Sequence, residues 1–313
     1  MRILVTGGAG FIGSHVVDIY VQAGHDVLVV DDLSTGKREN LHPRARFLQA
    51  DIQDPAVRQL IVTEKVEVVN HHAAQMDVRR SVADPLYDAR VNILGLLNVL
   101  EGAREAKVKK FVFAASGGTV YGEQEVFPAS EEHPTRPICP YGVSKRAGEH
   151  YLYFYNVEYG LPYVALRYAN VYGPRQDPHG EAGVVAIFTQ RLLAGEQPVI
   201  NGDGKQTRDY VFVGDVAQAN LAALQVGYSG PLNIGTSDET TVNQLFAALC
   251  HLTGSSVPEM HGPAKPGEQR RSVLAWSRAA QVLHWRPVVG LEDGLQQTVA
   301  YFRTRNDRHQ PHP

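Results

Sequence analysis

Tyr141 and Lys145 stand four residues apart in the segment Pro140-Tyr141-Gly142-Val143-Ser144-Lys145. On a helix that spacing puts a phenol and an ammonium on one face, one turn apart, and Pro140 suits the first turn of such a helix. A phenol with a pKa near ~10 is a poor base at neutral pH, but nearby positive charge favours its anion. Lys145 and a helix N-terminus both act in that direction, so the pair suits acid/base work on a sugar or alcohol hydroxyl. The same spacing also describes an amphipathic helix with a snorkelling lysine, so the surrounding motifs must decide.

A second chemical signal opens the chain. Thr6-Gly7-Gly8-Ala9-Gly10-Phe11-Ile12-Gly13 follows a β-branched run and starts a helical pattern. Glycines there permit a tight turn and the close approach of a pyrophosphate, and the helix N-terminus at Phe11, Ile12 and Gly13 supplies amide donors. Asp31-Asp32, eighteen residues after Gly13, closes the next strand pattern. An acid at that place accepts hydrogen bonds from the adenosine ribose of NAD and repels a 2′-phosphate. Ser34 in the same loop joins the expected cofactor set. Asp51-Ile52, after a third strand pattern, either flanks the adenine or is an exposed turn. Strand, glycines, helix, strand and acid together predict NAD binding, and an oxidised nicotinamide would add positive charge beside Tyr141. A Walker-type phosphate loop is excluded, because Gly36-Lys37-Arg38 and Gly204-Lys205-Gln206 lack the following Ser or Thr.

These residues need elements to hold them. Short apolar runs at 3–6, 27–30, 46–49, 66–71 and 110–115 alternate with helical patterns at 11–23, 55–64 and 86–107. That alternation predicts an α/β fold with a doubly wound parallel sheet. A helix at 141–159 and a strand at 163–167 follow. Beyond residue 168 the rhythm loosens, with helices expected at 184–194, 215–226, 241–252 and 291–303, and a frayed tail from 304. We therefore expect a cofactor domain at 1–168 and a smaller substrate domain at 169–313, with runs at 210–213 and 232–234 available to the first sheet. The 313 residues carry 30 basic and 33 acidic side chains, a formal charge of −3 that gives no field for nucleic acid. Two cysteines make no disulfide framework, no run approaches the ~20 residues of a membrane span, and the start is too short for a signal peptide. The expected location is cytoplasmic. Histidine pairs such as His71-His72 lack ligand spacing, so no metal site is expected. Lys107-Val108-Lys109-Lys110 reads as compensation of a helix C-terminus.

Gly7-Gly8-Ala9-Gly10-Phe11-Ile12-Gly13, Tyr141 with Lys145, and Arg167-Tyr168-Ala169-Asn170-Val171-Tyr172-Gly173-Pro174 together resemble the extended short-chain dehydrogenase/reductase family. Within it the likeness is to the UDP-glucose 4-epimerases, from residue 1 to about 303. The resemblance implies a Rossmann domain holding NAD and a C-terminal domain holding the nucleotide sugar. It places His72-Ala73-Ala74-Gln75 under the cofactor, Asn92 as a helix asparagine supporting the site, and Tyr168 with Ala169 near the nicotinamide. Ser116 matches the catalytic hydroxyl, although Gly117-Gly118 make the stretch one residue longer than in many epimerases, which leaves Thr119 as a weaker candidate. On the substrate side it implies Asn170 and Arg208 at the diphosphate, Glu268 at the uridine ribose, and Arg271 nearby as a weaker carry-over. Ser272 stands where some epimerases have a bulky tyrosine, Met76 where some have lysine, and Val184 where some have asparagine.

The reaction so implied inverts C4 of a UDP-hexose through a transient 4-keto sugar, with Tyr141 as base, Ser116 holding the hydroxyl, and Lys145 depressing the tyrosine pKa and anchoring the nicotinamide ribose. Close rivals are a UDP-glucuronate or UDP-N-acetylhexosamine 4-epimerase. A 4,6-dehydratase is disfavoured, since its Asp-Glu pair beside the catalytic threonine is absent here. An NAD-sensing regulator is the rival of a different class. The family also implies a homodimer paired through helices at 86–107 and 141–159.

Overall fold

The computed structural model describes residues 1–179, 183–264 and 269–309. Its backbone begins with β1 (Arg2–Thr6), α1 (Phe11–Gln22), β2 (Asp26–Asp31), β3 (Arg46–Gln49), α2 (Pro55–Thr63) and β4 (Val68–His71). Helices α3 (Val78–Ala83) and α4 (Pro85–Ala89) lead into a π-helical turn at Arg90–Gly95 and then α5 (Leu96–Glu105). Next come β5 (Lys110–Ser116), the single turn α6 (Gly117–Val120), α7 (Pro140–Tyr159), β6 (Tyr163–Tyr168) and β7 (Asn170–Tyr172). The remainder is α8 (Val184–Leu193), β8 (Ile200–Asn201), β9 (Thr207–Arg208), β10 (Tyr210–Phe212), α9 (Val213–Ala223), β11 (Gly230–Ile234), β12 (Thr240–Thr241), α10 (Val242–Thr253), β13 (His261–Gly262), β14 (Arg271–Ser272), α11 (Ser277–Leu283) and α12 (Leu291–His309).

Seven strands form the central sheet in the order β11-β6-β5-β4-β1-β2-β3, every pair parallel. This is a Rossmann-type doubly wound sheet, with the order reversing beside β1. Each face carries its own core. On one side Val5, Val16, Tyr20, Val216 and Leu232 pack between the sheet, α1 and α9. On the other Leu4, Val69, Leu100, Phe111, Phe113 and Leu152 pack against α5 and α7. Strands buried on both faces explain the near-continuous apolar runs in the sequence. A third core, including Phe188, Leu245, Phe246, Leu295 and Val299, joins α8, α10 and α12.

Four sequence expectations change. The run at 210–213 does not enter the central sheet: β10 pairs with β7, and only β11 extends the sheet. The expected helix at 86–107 is three pieces, because Asp84 caps α4 at the Tyr87 amide and the π turn inserts an extra residue before α5. Helix α12 runs past the expected start of the frayed tail at 304 to His309, with Arg305 bonded to Glu39 and to Tyr301, and the rest of that tail, 310–313, lies outside the described residues. Lys110 serves no nearby helix end, since its ammonium is buried and donates to the carbonyls of Val226 and Tyr228.

Candidate active site

The glycine turn is shaped by crowding. Gly7 has a φ of +69°, and a Cβ on it would lie 2.6 Å from the Ala73 nitrogen. A Cβ on Gly13 would lie 2.2 Å from the Gly7 carbonyl oxygen. Both positions are therefore closed to any other residue. Helix α1 has Gly10 as its N-cap, with no side-chain cap and no acid in its first turn, so its first amides and partial positive charge stand at the glycine turn. Such a donor set fits a pyrophosphate.

Asp31, at the end of β2, braces the glycine turn. It is 6% exposed, and its carboxylate already accepts from the amides of Ala9 (2.9 Å) and Leu33 (2.8 Å), bracing the turn from below. Burial pushes its pKa up, and those amide bonds oppose the shift. Asn40, which the sequence reading passed over, holds the same turn by donating to the Ala9 carbonyl. Asp32 is exposed and accepts from the Ser34 amide and hydroxyl. Asp51 is an exposed turn acid bonded to the Gln53 amide, while Ile52 is buried against Gly95 of the π turn.

Tyr141 lies in the first turn of α7, with Pro140 at the helix start. Ser116 acts on its hydroxyl in the direction that favours the anion, and is the last residue of β5, in register with Tyr168 of β6. Lys145 is 4% exposed, lies 5.7 Å from the Tyr141 ring centre and donates to the Ala114 carbonyl at 2.9 Å. The expectation that Lys145 depresses the tyrosine pKa does not hold for the protein alone. Burial raises the Tyr141 pKa, helped by Cys139 and Asp88 and opposed by Ser116. Burial also brings Lys145 down to about 8, with Asp88 pulling it back up. Thr119 lies beside this pair, and its buried hydroxyl has no hydrogen-bond partner.

Beneath the pair runs a polar layer that the sequence hinted at only through Gln75 and Asn92. The Gln75 amide donates to the Asn92 carbonyl oxygen, and the Asn92 amide returns a bond to the Gln75 carbonyl. Both side chains also donate to Asp88, a fully buried carboxylate that spacing gave no reason to select. Ala73 and Ala74 line the same loop, with the Ala73 amide donating to the Thr6 hydroxyl. Tyr168 stacks on His72, and its hydroxyl accepts from Asn220 and contacts His72 Nε2 at 3.1 Å. That hydroxyl belongs to a buried network continuing through Asn220 to Asn70 and Tyr20.

On the substrate side, β7 sets Asn170 against β10, and a Cβ on Gly118 would come within 4.0 Å of the Asn170 oxygen. Asn170 therefore borders the Ser116–Thr119 turn. Arg208 of β9 lies in register with Ser272 of β14, and Ser272 is 3% exposed. Arg271 is not a free cation: it makes a two-pronged pair with Glu239 (2.9 and 2.7 Å) over the Phe127 ring. Glu268 lies outside the described residues.

A parallel sheet with an uncapped, glycine-lined helix start beside a buried tyrosine–lysine pair defines a dinucleotide-dependent enzyme that works on a hydroxyl. The chain belongs to the NAD dependent epimerase/dehydratase family, which matches residues 3–235. It is 48% identical over 313 residues to a UDP-glucose 4-epimerase of Mycolicibacterium smegmatis, covering 98% of this chain and 100% of that one. Among solved structures it is similar to the Thermotoga maritima UDP-glucose 4-epimerase with UDP-glucose, at 51% identity and a TM-score of 0.96, covering 98% of this chain and 100% of that one. It is also similar to the Thermus thermophilus UDP-glucose 4-epimerase in complex with NAD, at 47% identity and a TM-score of 0.92, covering 97% and 99%.

Proposed function

We propose that this protein interconverts UDP-glucose and UDP-galactose by inverting C4, using NAD held at the glycine turn, as a step in galactose use. The observation that carries the reading is Tyr141 at the start of α7 with the buried Lys145 one turn along, 5.7 Å from its ring centre, in a chain about half identical to UDP-glucose 4-epimerases over nearly its whole length. Gly7, Gly10, Phe11, Ile12 and Gly13 would hold the pyrophosphate, and the Asp31–Ser34 loop would meet the adenosine ribose. Bound there, NAD supplies a reversible two-electron acceptor for C4 of the sugar. Tyr141 takes the C4 hydroxyl proton as that carbon becomes a ketone and gives it back after the sugar has turned over. Ser116 holds the hydroxyl, and the orphaned Thr119 hydroxyl is available to the same sugar edge. Lys145 and the positive ring of the oxidised cofactor together offset the burial that holds the Tyr141 proton on. Asn170 and Arg208 grip the diphosphate end, where a guanidinium offers planar paired donors, and looser contacts to the sugar let it rotate.

NMR analysis of the product from UDP-glucose, with no NAD added, tests this reading. Formation of UDP-galactose is expected, and a panel showing turnover only of UDP-glucuronate, or of no sugar, would overturn it. One observation favours a wider pocket: the small, buried Ser272 lies beside Arg208. UDP-N-acetylgalactosamine is therefore expected to turn over as well, and its inertness beside active UDP-galactose would remove that extension.

The protein is further read as a cytoplasmic homodimer. Among the described residues no helix is long and apolar enough to cross a membrane. The dimer reading rests on Leu86 and Leu94 near the π turn and on Val143, Phe154 and Val157 of α7, which expose 48–71% of their surface. Such clustered apolar exposure marks a partner surface.

A further inference from the structure

Asp88 has no part in the reaction described above, yet it is fully buried and sits immediately behind the reacting pair. It is the penultimate residue of α4, just before the π turn. One carboxylate oxygen accepts from Gln75 (3.1 Å) and Asn92 (2.9 Å), and the other accepts from the Ser144 hydroxyl at 2.6 Å. Ser144 lies between Tyr141 and Lys145 on α7. All three hydrogen-bond donors are neutral, and the charged neighbour is the buried Lys145 ammonium, on which Asp88 acts electrostatically. Burying a charge in that way is costly, and neutral side chains of similar size would satisfy the same donors more cheaply.

We propose that Asp88 is a positioning residue whose three hydrogen bonds lock α7 to the loop after β4 and whose carboxylate, set behind that helix, governs the pH at which Tyr141 and Lys145 give up their protons. This rests on the reading of Tyr141 as the base with Lys145 as its charged neighbour. Other titratable groups face the pair as well. Cys139 precedes α7 and raises the Tyr141 pKa, whereas His71 and His72 at the end of β4 are held neutral by burial and by Lys145. Asp88 raises the pKa of both Tyr141 and Lys145, so it favours the protonated phenol and the charged amine together. Without Asp88 both groups would lose their protons at lower pH.

The test is Asp88→Asn in the NAD-loaded protein. The amide keeps an acceptor for Gln75 and Asn92 and turns a donor toward Ser144, so the shape survives. Two readouts are taken: the pH profile of kcat, and the tyrosinate ultraviolet absorbance of Tyr141 referenced to Tyr141→Phe, which needs no turnover. Both are expected to move to lower pH by about one unit, as for removal of a neighbouring charge. Asp88→Glu, which keeps the charge, is expected to leave the midpoints in place even if kcat falls through misplacement. Should the Asn variant fail to fold, Asp88→Ser, with room for a water, carries the same expectation. Unmoved midpoints in a folded neutral variant would overturn the proposal and leave Asp88 a purely structural residue. If the unaltered protein turns over no UDP-sugar, the functional reading fails instead, and the tyrosinate titration still decides the role of Asp88.

Discussion

At the scale of single residues, burial governs the site more than charge pairing does. At Tyr141 desolvation is the largest influence and holds the proton on, while Ser116 acts the other way, so the proposed base needs cofactor and substrate to complete its site. Tyr141→Phe is expected to lower kcat by about 10²–10⁴-fold, the usual range for a lost acid/base group, with NAD still present when the purified protein is denatured and its nucleotide measured. Lys145 gives a pH signature in the cofactor-free protein. Its pKa falls from 10.5 unfolded to about 8 folded, so between those values the unfolded chain binds more protons and stability rises with pH. Below about 8 the whole cost of the buried charge is present. Urea titrations are expected to show wild-type stability gaining up to about 3 kcal/mol relative to Lys145→Met between pH 8 and 10.5, and parallel curves would contradict a buried lysine.

At the scale of elements, α7 has to be clamped, because one helix carries both Tyr141 and Lys145. The clamp is a buried pair two turns further on. Arg167 of β6, 2% exposed, makes two bonds to Glu149 (2.8 and 2.7 Å) and a third to the Tyr121 hydroxyl (2.9 Å). Removing one partner strands the other charge, so Glu149→Ala is expected to cost about 3–5 kcal/mol in urea unfolding. A loss under ~1 kcal/mol would mean that water reaches Arg167. The π turn at Arg90–Gly95 is the other positioning device. Its extra residue keeps Asn92 pointed at Gln75 and Asp88, and Gly95 meets Ile52 so closely that a Cβ there would lie 2.7 Å from Ile52 Cδ1.

At the scale of the whole molecule, strand order sets the location of the chemistry. The crevice of a doubly wound sheet opens at the carboxyl ends of its strands, where the order reverses beside β1, and the glycine turn, the His72–Gln75 loop and Ser116 all follow such ends. Beyond β6 the chain leaves the central sheet as β7, whose parallel partner β10 follows shortly after Arg208. The apolar face of α7 bears on assembly. Phe154→Glu is expected to convert the proposed dimer to a monomer in sedimentation velocity, and an unchanged particle would place the interface elsewhere.

The sequence by itself determined the parallel sheet, the glycine turn and the tyrosine–lysine pair, because each is written in local spacing: apolar runs for two-sided burial, glycines where a Cβ has no room, and four residues for one helical turn. Only the tertiary structure decided how those groups are poised. Asp88 lies 53 positions before Tyr141 and 56 before Ser144, and no periodicity links them. The pairing of Arg271 with Glu239, the bracing of the glycine turn by Asp31, and the desolvation of Tyr141 likewise arise between segments far apart in the chain. Local pattern fixes which groups share a face, whereas the dielectric around a proton depends on everything the fold packs against it.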